Sequence, residues 1–402
     1  MEIKFSERAK HVSNTATREI LKVTEKPEII SFAGGLPAPE LFPVEEIKAA
    51  CEAVLNESGE QALQYSTTEG YLPLRQAIVD RLAAIGIDTT PDNLLVITGS
   101  QQGLDLTGKL FLDEGDIVIC ESPTYLAAIN AFKTYNPKFV EVPMDDEGMI
   151  MDALEQTLQA NPDAKFIYTI PDFQNPTGRT MNLERRKKIV ELANRYNIII
   201  VEDNPYGAVR FAGEALPPVK HFDTEGRVVY LSTFSKIFAP GLRLGWICAD
   251  ETLLEKYVAF KQATDLHTDS FAQRITAKYI ELFDLEEHIQ KIKAVYLSRR
   301  EKMMECIDAF FPKQVNHSVP EGGLFIWIEL PEQIDTEELF AECLKNNVAF
   351  VPGKPFFPNS AKKNTFRLNY SNMPEEKIVE GMKRIGKVLD EAIASQAEVS
   401  VH

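Results

Sequence analysis

Between residues 94 and 248, short apolar, β-rich runs alternate with longer helical patterns, and that alternation leaves few architectures open. The runs are Leu94–Thr98, Ile117–Cys120, Phe139–Val142, Phe166–Ile170, Ile198–Glu202 and Val228–Ser232. Helical patterns at Gln101–Leu112, Leu126–Thr134, Met151–Gln159 and Leu183–Tyr196 separate several of them. Near-continuous apolar strands linked by helices predict an α/β fold, a mostly parallel sheet covered on both faces. The link from Ser232 to Leu244 is too short, and too rich in Pro and Gly, for the helical crossover that a parallel connection needs. The seventh strand, Leu244–Ala249, is therefore expected to run antiparallel. Long helical patterns follow from Glu251 to Phe311. A smaller α+β unit closes the chain, with strands at Leu324–Leu330, Val348–Val351 and Thr365–Tyr370 and helices at Thr336–Asn346 and Glu375–Ile393. The expected division is an N-terminal arm over 1–43, a large domain over 44–295 and a small domain over 296–402, in keeping with a length of 402 residues.

Composition excludes some functions. A formal charge of -17 argues against nucleic acid as a partner, because phosphate backbones need clustered Lys and Arg. The five cysteines are scattered and form no C-x-x-C pair, and the six histidines have no metal-ligand spacing. No metal site is expected, and the cysteine pattern points to a reducing compartment, the cytoplasm. No apolar run reaches membrane-spanning length, so no membrane association is expected.

In open α/β sheets ligands bind beyond the carboxyl ends of the strands, and that is where the chemistry-bearing residues lie. Thr98-Gly99-Ser100-Gln101 is a strand, a tight turn and a helix start, suited to an anion such as phosphate. Tyr125 follows the next strand and could stack on a flat ring. Asn175 sits in a Pro- and Gly-bounded loop with a donor and an acceptor. Asp203 ends an apolar strand and needs a positive partner, and Tyr206 follows it. Lys236 stands among Phe234, Phe238, Pro240 and Trp246, where a desolvated amine can become a nucleophile. Arg243 could clamp a phosphate, with the Thr233 and Ser235 hydroxyls adding donors. Taken singly, each has an ordinary reading: an N-cap serine, a packing aromatic, a turn asparagine, a salt-bridged aspartate. Together they are the groups that hold pyridoxal phosphate and let its ring act as an electron sink.

The combination of Asn175-Pro176-Thr177-Gly178, Glu202-Asp203-Asn204-Pro205-Tyr206-Gly207 and Ser235-Lys236 with Pro240-Gly241 and Arg243 resembles the fold-type I pyridoxal-phosphate aminotransferases of class I/II, over nearly the whole chain from Ser31. Ser31-Phe32-Ala33-Gly34-Gly35-Leu36-Pro37 and Gln64-Tyr65-Ser66 resemble the subgroup of 2-aminoadipate, kynurenine and multi-substrate aminotransferases. The resemblance implies that Lys236 forms the Schiff base and carries the proton. It implies that Asp203 keeps the pyridine nitrogen protonated, that Asn175 and Tyr206 bond the ring oxygen, and that Tyr125 stacks on the ring. Ser100, Gln101, Thr233, Ser235 and Arg243 would hold the phosphate. Relatives often have serine where this chain has Thr233, and the hydroxyl survives. Tyr65 would reach the phosphate site of a second subunit, making a homodimer the working unit. Arg367 would clamp the substrate α-carboxylate with Asn175 and the Gly35 backbone.

The implied reaction moves an amino group from an L-amino acid to a 2-oxo acid, 2-oxoglutarate being expected, in a ping-pong scheme. Candidate donors are 2-aminoadipate and aromatic or aliphatic amino acids. Arg18 lies in a segment that covers the active site in the subgroup, where an arginine can meet a distal carboxylate; a solvated helix charge is the equal alternative. Two rivals share the fold. A carbon–sulfur β-lyase would use the same Lys-Asp-Tyr set, although the subgroup resemblance favours transfer. A non-catalytic regulator would carry a winged helix, and about thirty residues before Gly34-Gly35 are too few for one.

Overall fold

The computed structural model describes residues 3–10, 26–359 and 362–399. Its large sheet runs in the order Leu94–Ile97, Gly245–Cys248, Val228–Thr233, Ile199–Asp203, Phe166–Thr169, Ile117–Ser122, Lys138–Asp145 and Gly148–Met149. The strands from Val228–Thr233 to Lys138–Asp145 pair in parallel. Gly245–Cys248 is antiparallel to both its neighbours, as the short link before it requires. To the seven expected strands the fold adds a two-residue hairpin partner, Gly148–Met149, at one edge.

Alternate strand positions feed two cores, which is what a sheet covered on both faces demands. Ile119, Ile167 and Ile200 pack with Leu154, Ile189 and Val190 from the helices Met151–Ala160 and Leu183–Tyr196. Val118, Tyr168, Val201 and Leu231 face the other way and join the main core with Leu104 of the helix Ser100–Phe111. That helix comes so close that a Cβ on Gly103 would sit 2.9 Å from Ile97 Cδ1.

Past the sheet, the helices Glu251–Asp265, Ser270–Leu282 and Leu285–Phe310 fill the stretch that reads as helical. Leu285–Phe310 packs along Glu375–Val399. A four-stranded antiparallel sheet follows in the order Asn316–His317, Phe325–Glu329, Thr365–Asn369, Val351–Pro352. The expected single strand Val348–Val351 is split. Val348–Ala349 pairs with Ile30–Ser31, while Val351–Pro352 pairs with Thr365–Asn369. The split ties the chain's early segment to the small sheet and sets Ala33–Gly35 over the ends of the large one. Among the described residues, no helix is long and apolar enough to cross a membrane.

Candidate active site

Six parallel strands of the large sheet end along one edge, and the residues after five of them line a cavity. Ser100 and Gln101 come from the first turn of the helix Ser100–Phe111. Gly99 precedes it with φ of 71°, and a Cβ there would lie 2.5 Å from Arg243 Nη2. No side chain caps this helix start, so its first N–H groups are left for another partner. Tyr125 stands half-buried on one wall, and Asp203 and Tyr206 are buried on another. Lys236 lies at the end of a short 3-10 turn capped by Thr233, whose side chain accepts from Ser235 N at 3.1 Å. The Thr233 hydroxyl also lies 2.8 Å from the Leu244 carbonyl, so it is engaged within the turn as well as facing the cavity.

Asp203 Oδ2 accepts from the Tyr168 phenol at 2.8 Å, while Oδ1 is buried without a partner. Burial pushes the carboxyl up to about 7, and the Tyr168 bond works against that push. Lys236 Nζ donates to the Gly35 carbonyl at 2.9 Å. Burial first, then the guanidinium groups of Arg367 and Arg243, lowers its amine to about 8. Burial likewise drives the Tyr206 phenol far upward, which keeps it a neutral donor.

Arg367, 7% exposed, joins the site from the small sheet. It donates to Asn175 Oδ1 at 2.8 Å and to the Ala33 carbonyl at 2.7 Å, and its Nε has no partner. The guanidinium lies 4.1 Å from the centre of the Phe325 ring. Asn175 Nδ2 in turn donates to Tyr206 Oη at 3.4 Å, so Tyr206, Asn175 and Arg367 form one chain. The fold thus gathers Lys236, Asp203, Tyr206, Tyr125, Ser100, Gln101, Thr233, Ser235 and Arg243 in one cavity, with Asn175, Arg367 and Gly35 bonded along its edge. Tyr65 is elsewhere, 79% exposed, its ring edge-on to His267 at 5.9 Å. Arg18 lies outside the described residues.

Residues 30–385 match the family described as aminotransferase class I and II. The chain belongs to that family. It is 48% identical to an aromatic-amino-acid aminotransferase of Thermococcus litoralis, over 96% of this chain and 94% of that one. It is 42% identical to a 2-aminoadipate transaminase of Thermus thermophilus, over 97% of each chain. Its structure superposes with a TM-score of 0.93 on the kynurenine aminotransferase of Pyrococcus horikoshii, at 43% identity, covering 96% of this chain and 97% of that one.

The aminotransferase uses pyridoxal 5′-phosphate, and its residues fit that group. A protonated ring nitrogen is the kind of donor that the orphaned Asp203 Oδ1 lacks, and its charge would draw the carboxyl back toward its anion. The uncapped helix start, the side-chain-free Gly99 and the Arg243 guanidinium suit a phosphate. A half-buried amine at Lys236 suits an aldehyde carbon.

Two supports of this aminotransferase site carry no sequence signal. Tyr168 lies in mid-strand, within Phe166–Thr169, away from the strand ends. Glu121 lies near the end of the strand Ile117–Ser122. It accepts from Thr169 Oγ1 at 2.5 Å and from Gln174 Nε2 at 3.0 Å. Gln174 Oε1 accepts from Thr177 N and Oγ1, which braces the loop carrying Asn175. Burial pushes the Glu121 carboxyl up to about 7.

Proposed function

We propose that this aminotransferase takes its amino group from an aromatic amino acid or from 2-aminoadipate and passes it to a 2-oxo acid, 2-oxoglutarate, in two half-reactions at the one cavity. The observation that carries the reading is Arg367: a buried guanidinium on the Phe325 ring, next to Asn175 and near enough to Lys236 for its charge to lower that amine. A buried cation with an unpaired N–H calls for a carboxylate. The buried rings of Phe325 and Phe356, the latter 5.2 Å from the guanidinium, hold it in place. The donor classes accord with the names of the relatives.

When bound, pyridoxal phosphate supplies a ring that accepts the electron pair left as the substrate Cα–H bond breaks. The protein does the rest. Asp203 Oδ1 would hold a positive charge at the ring nitrogen, and Tyr168 holds Asp203. Tyr206 and Asn175 would donate to the ring oxygen, with Tyr125 beside the ring. Ser100, Gln101, Thr233, Ser235 and Arg243 would bind the phosphate. Arg367 fixes the substrate carboxylate, with Asn175 and the Gly35 backbone. Lys236 is the base: an amine lowered to about 8 has an appreciable neutral fraction near neutral pH. Its Nζ would take and hold the substrate α-proton.

The same proposal includes a homodimer in the cytoplasm, with Tyr65 reaching the phosphate site of a second copy. It includes an arm over 1–43, a large domain over 44–295 and a small domain over 296–402, the helix Leu285–Phe310 running through both of the last two. Arg18 is assigned to a distal carboxylate of acidic substrates.

The test is a spectral titration of the purified holoenzyme. Tryptophan, phenylalanine, tyrosine, kynurenine, 2-aminoadipate and leucine are each added without acceptor. Loss of the lysine-bound cofactor band and gain of its amine form ranks the donors, and 2-oxoglutarate restores the original band. Pyruvate and ammonia released from cystathionine with no acceptor present would instead favour β-elimination. Arg18→Ala is expected to weaken 2-aminoadipate and glutamate more than phenylalanine, and equal losses would remove Arg18 from the substrate site.

A further inference from the structure

A second cavity lies behind the catalytic loops. It is bounded by Tyr230, Ser232 and Trp246 of the large sheet and by Leu82 and Ile85 at the end of the helix Leu72–Ala84. Leu216 and Ile237 extend its apolar wall, and Asp172, Asn204 and Arg210 supply polar groups.

Two of these wall residues carry buried N–H groups that no acceptor meets, Trp246 Nε1 and Arg210 Nη2. Native interiors rarely leave such donors unpaired. In the catalytic cavity the same coincidence of space and orphaned atom marks Asp203. The clefts beside Tyr71 and beside Tyr65 have no such atom among the described residues. Both orphans here are donors, so their missing partner is an acceptor.

Charge narrows the acceptor. Arg210 is already held by Glu321 at 2.8 Å, and Arg81, at the wall, is paired with Glu286. Asp172 is paired with the fully buried Arg186 at 2.7 Å and lies 3.8 Å from Arg210. Each charge has its counter-ion, and the Asp172 carboxylate would repel an added anion. We infer that this cavity binds a small uncharged molecule with an apolar body and a carbonyl acceptor, an amide, lactam or ketone, seated against Trp246 and Arg210. The catalytic cavity, with Lys236, Arg243 and Arg367 about it, selects anions instead.

The two cavities share walls. Pro205 and Thr233 line both. Asn204, between Asp203 and Tyr206, donates to Asp172 at 2.9 Å, accepts from Gly207 N at 2.9 Å, and through its carbonyl accepts from Ser232 Oγ at 2.8 Å. A molecule seated in the second cavity touches the backs of the loops that present Asp203, Tyr206 and Lys236. Its occupancy alters turnover without competing with the amino acid.

The test uses enzyme in which N-(5′-phosphopyridoxyl)-L-leucine has replaced the cofactor and fills the catalytic cavity, titrated by calorimetry with benzamide and 4-methylpentanamide, and with benzoate as the anionic control. One saturable site is expected for at least one amide and none for benzoate. Trp246→Phe keeps a ring and loses the donor, and should weaken binding about fivefold or more. Ala208→Leu fills the cavity and should abolish binding; it decides alone if Trp246→Phe does not fold. In unblocked enzyme the bound amide should lower kcat with KM little changed. The inference falls if neither amide saturates, if affinities are unchanged in the folded variants, or if benzoate binds as well. It falls too if a soaked crystal has only water on Trp246 and Arg210.

Discussion

The Tyr168 phenol donates to Oδ2 of Asp203 at 2.8 Å, and Oδ1 of the same carboxylate, equally buried, meets no donor. The two side chains come from neighbouring parallel strands, Phe166–Thr169 and Ile199–Asp203, in which Tyr168 pairs with Val201. They lie on the same face because Val201 and Asp203 are two positions apart. One oxygen is spoken for by the protein, and the other is left without a donor in a residue that lines the cavity. Burial alone would leave Asp203 largely protonated near neutral pH, and the phenol is the group in the fold that pulls it back.

Tyr168→Phe should therefore raise the pKa of Asp203 and lower activity. A hydrogen bond to a charged group contributes about 1.5–3 kcal/mol, so kcat/KM should fall roughly 10- to 100-fold. The loss should be largest on the acid side, where more of Asp203 is protonated, and should shrink as pH rises. A pH profile of kcat/KM measures this; a uniform loss at every pH would mean that Tyr168 acts through packing alone.

Capture of pyridoxal phosphate by cofactor-free protein should follow the neutral fraction of Lys236. Its amine is lowered to about 8, so the rate should climb ~tenfold per pH unit on the acid side and level off above that value. Arg367→Leu removes a neighbouring positive charge and should move the plateau to higher pH. Stopped-flow absorbance reads both, and a plateau at the ordinary lysine value would show that the amine is not desolvated.

Arg367→Lys should separate substrate binding from cofactor binding. Lysine keeps a charge but loses the planar fork that meets Asn175 and the Ala33 carbonyl together. If about 2–3 kcal/mol of carboxylate binding is lost, KM for every amino-acid donor rises ~30-fold or more. Cofactor retention, followed by absorbance after dialysis, should not change. Loss of cofactor with unaltered KM would place Arg367 outside the substrate site.

Arg186→Met should destabilise the protein without touching the catalytic cavity. Arg186 is fully buried, bonded to both oxygens of Asp172 and to the carbonyls of Pro171, Met181 and Pro217. Leaving Asp172 buried and unpaired costs about 3–5 kcal/mol. Calorimetry should show a lower melting temperature, partly restored by adding Asp172→Leu. An unchanged melting temperature would mean that Asp172 finds a substitute partner, such as Arg210 at 3.8 Å.

Some of the site was legible because its residues punctuate strand ends. Asp203, Asn175 and Lys236 each follow an apolar run, and in a parallel sheet all such ends fall on one edge. Tyr168 was not legible, because a tyrosine in mid-strand reads as core until its neighbour across the ladder is known. Arg367 reads as an ordinary strand arginine unless a resemblance points to it; it meets Asn175 across 192 residues of sequence. The expected strand Val348–Val351 failed for a similar reason: four consecutive residues divide between two partners, Ile30–Ser31 and Thr365–Asn369, that no local pattern names.

By itself the sequence determined the layered α/β architecture, the reversed strand after Lys236 and the chemical kinds of group at the sheet edge. Those follow from local rules: residue alternation, crossover length, and the turn residues that end a strand. Only the tertiary structure decided which oxygen of Asp203 is left without a donor, that Gly35 reaches Lys236, and that Arg367 spans from the small sheet to Asn175. It also placed Trp246 and Arg210 around a second cavity. Those facts depend on which residues are packed beside one another across strands and between sheets, where distances of a few ångströms bear no relation to separation along the chain.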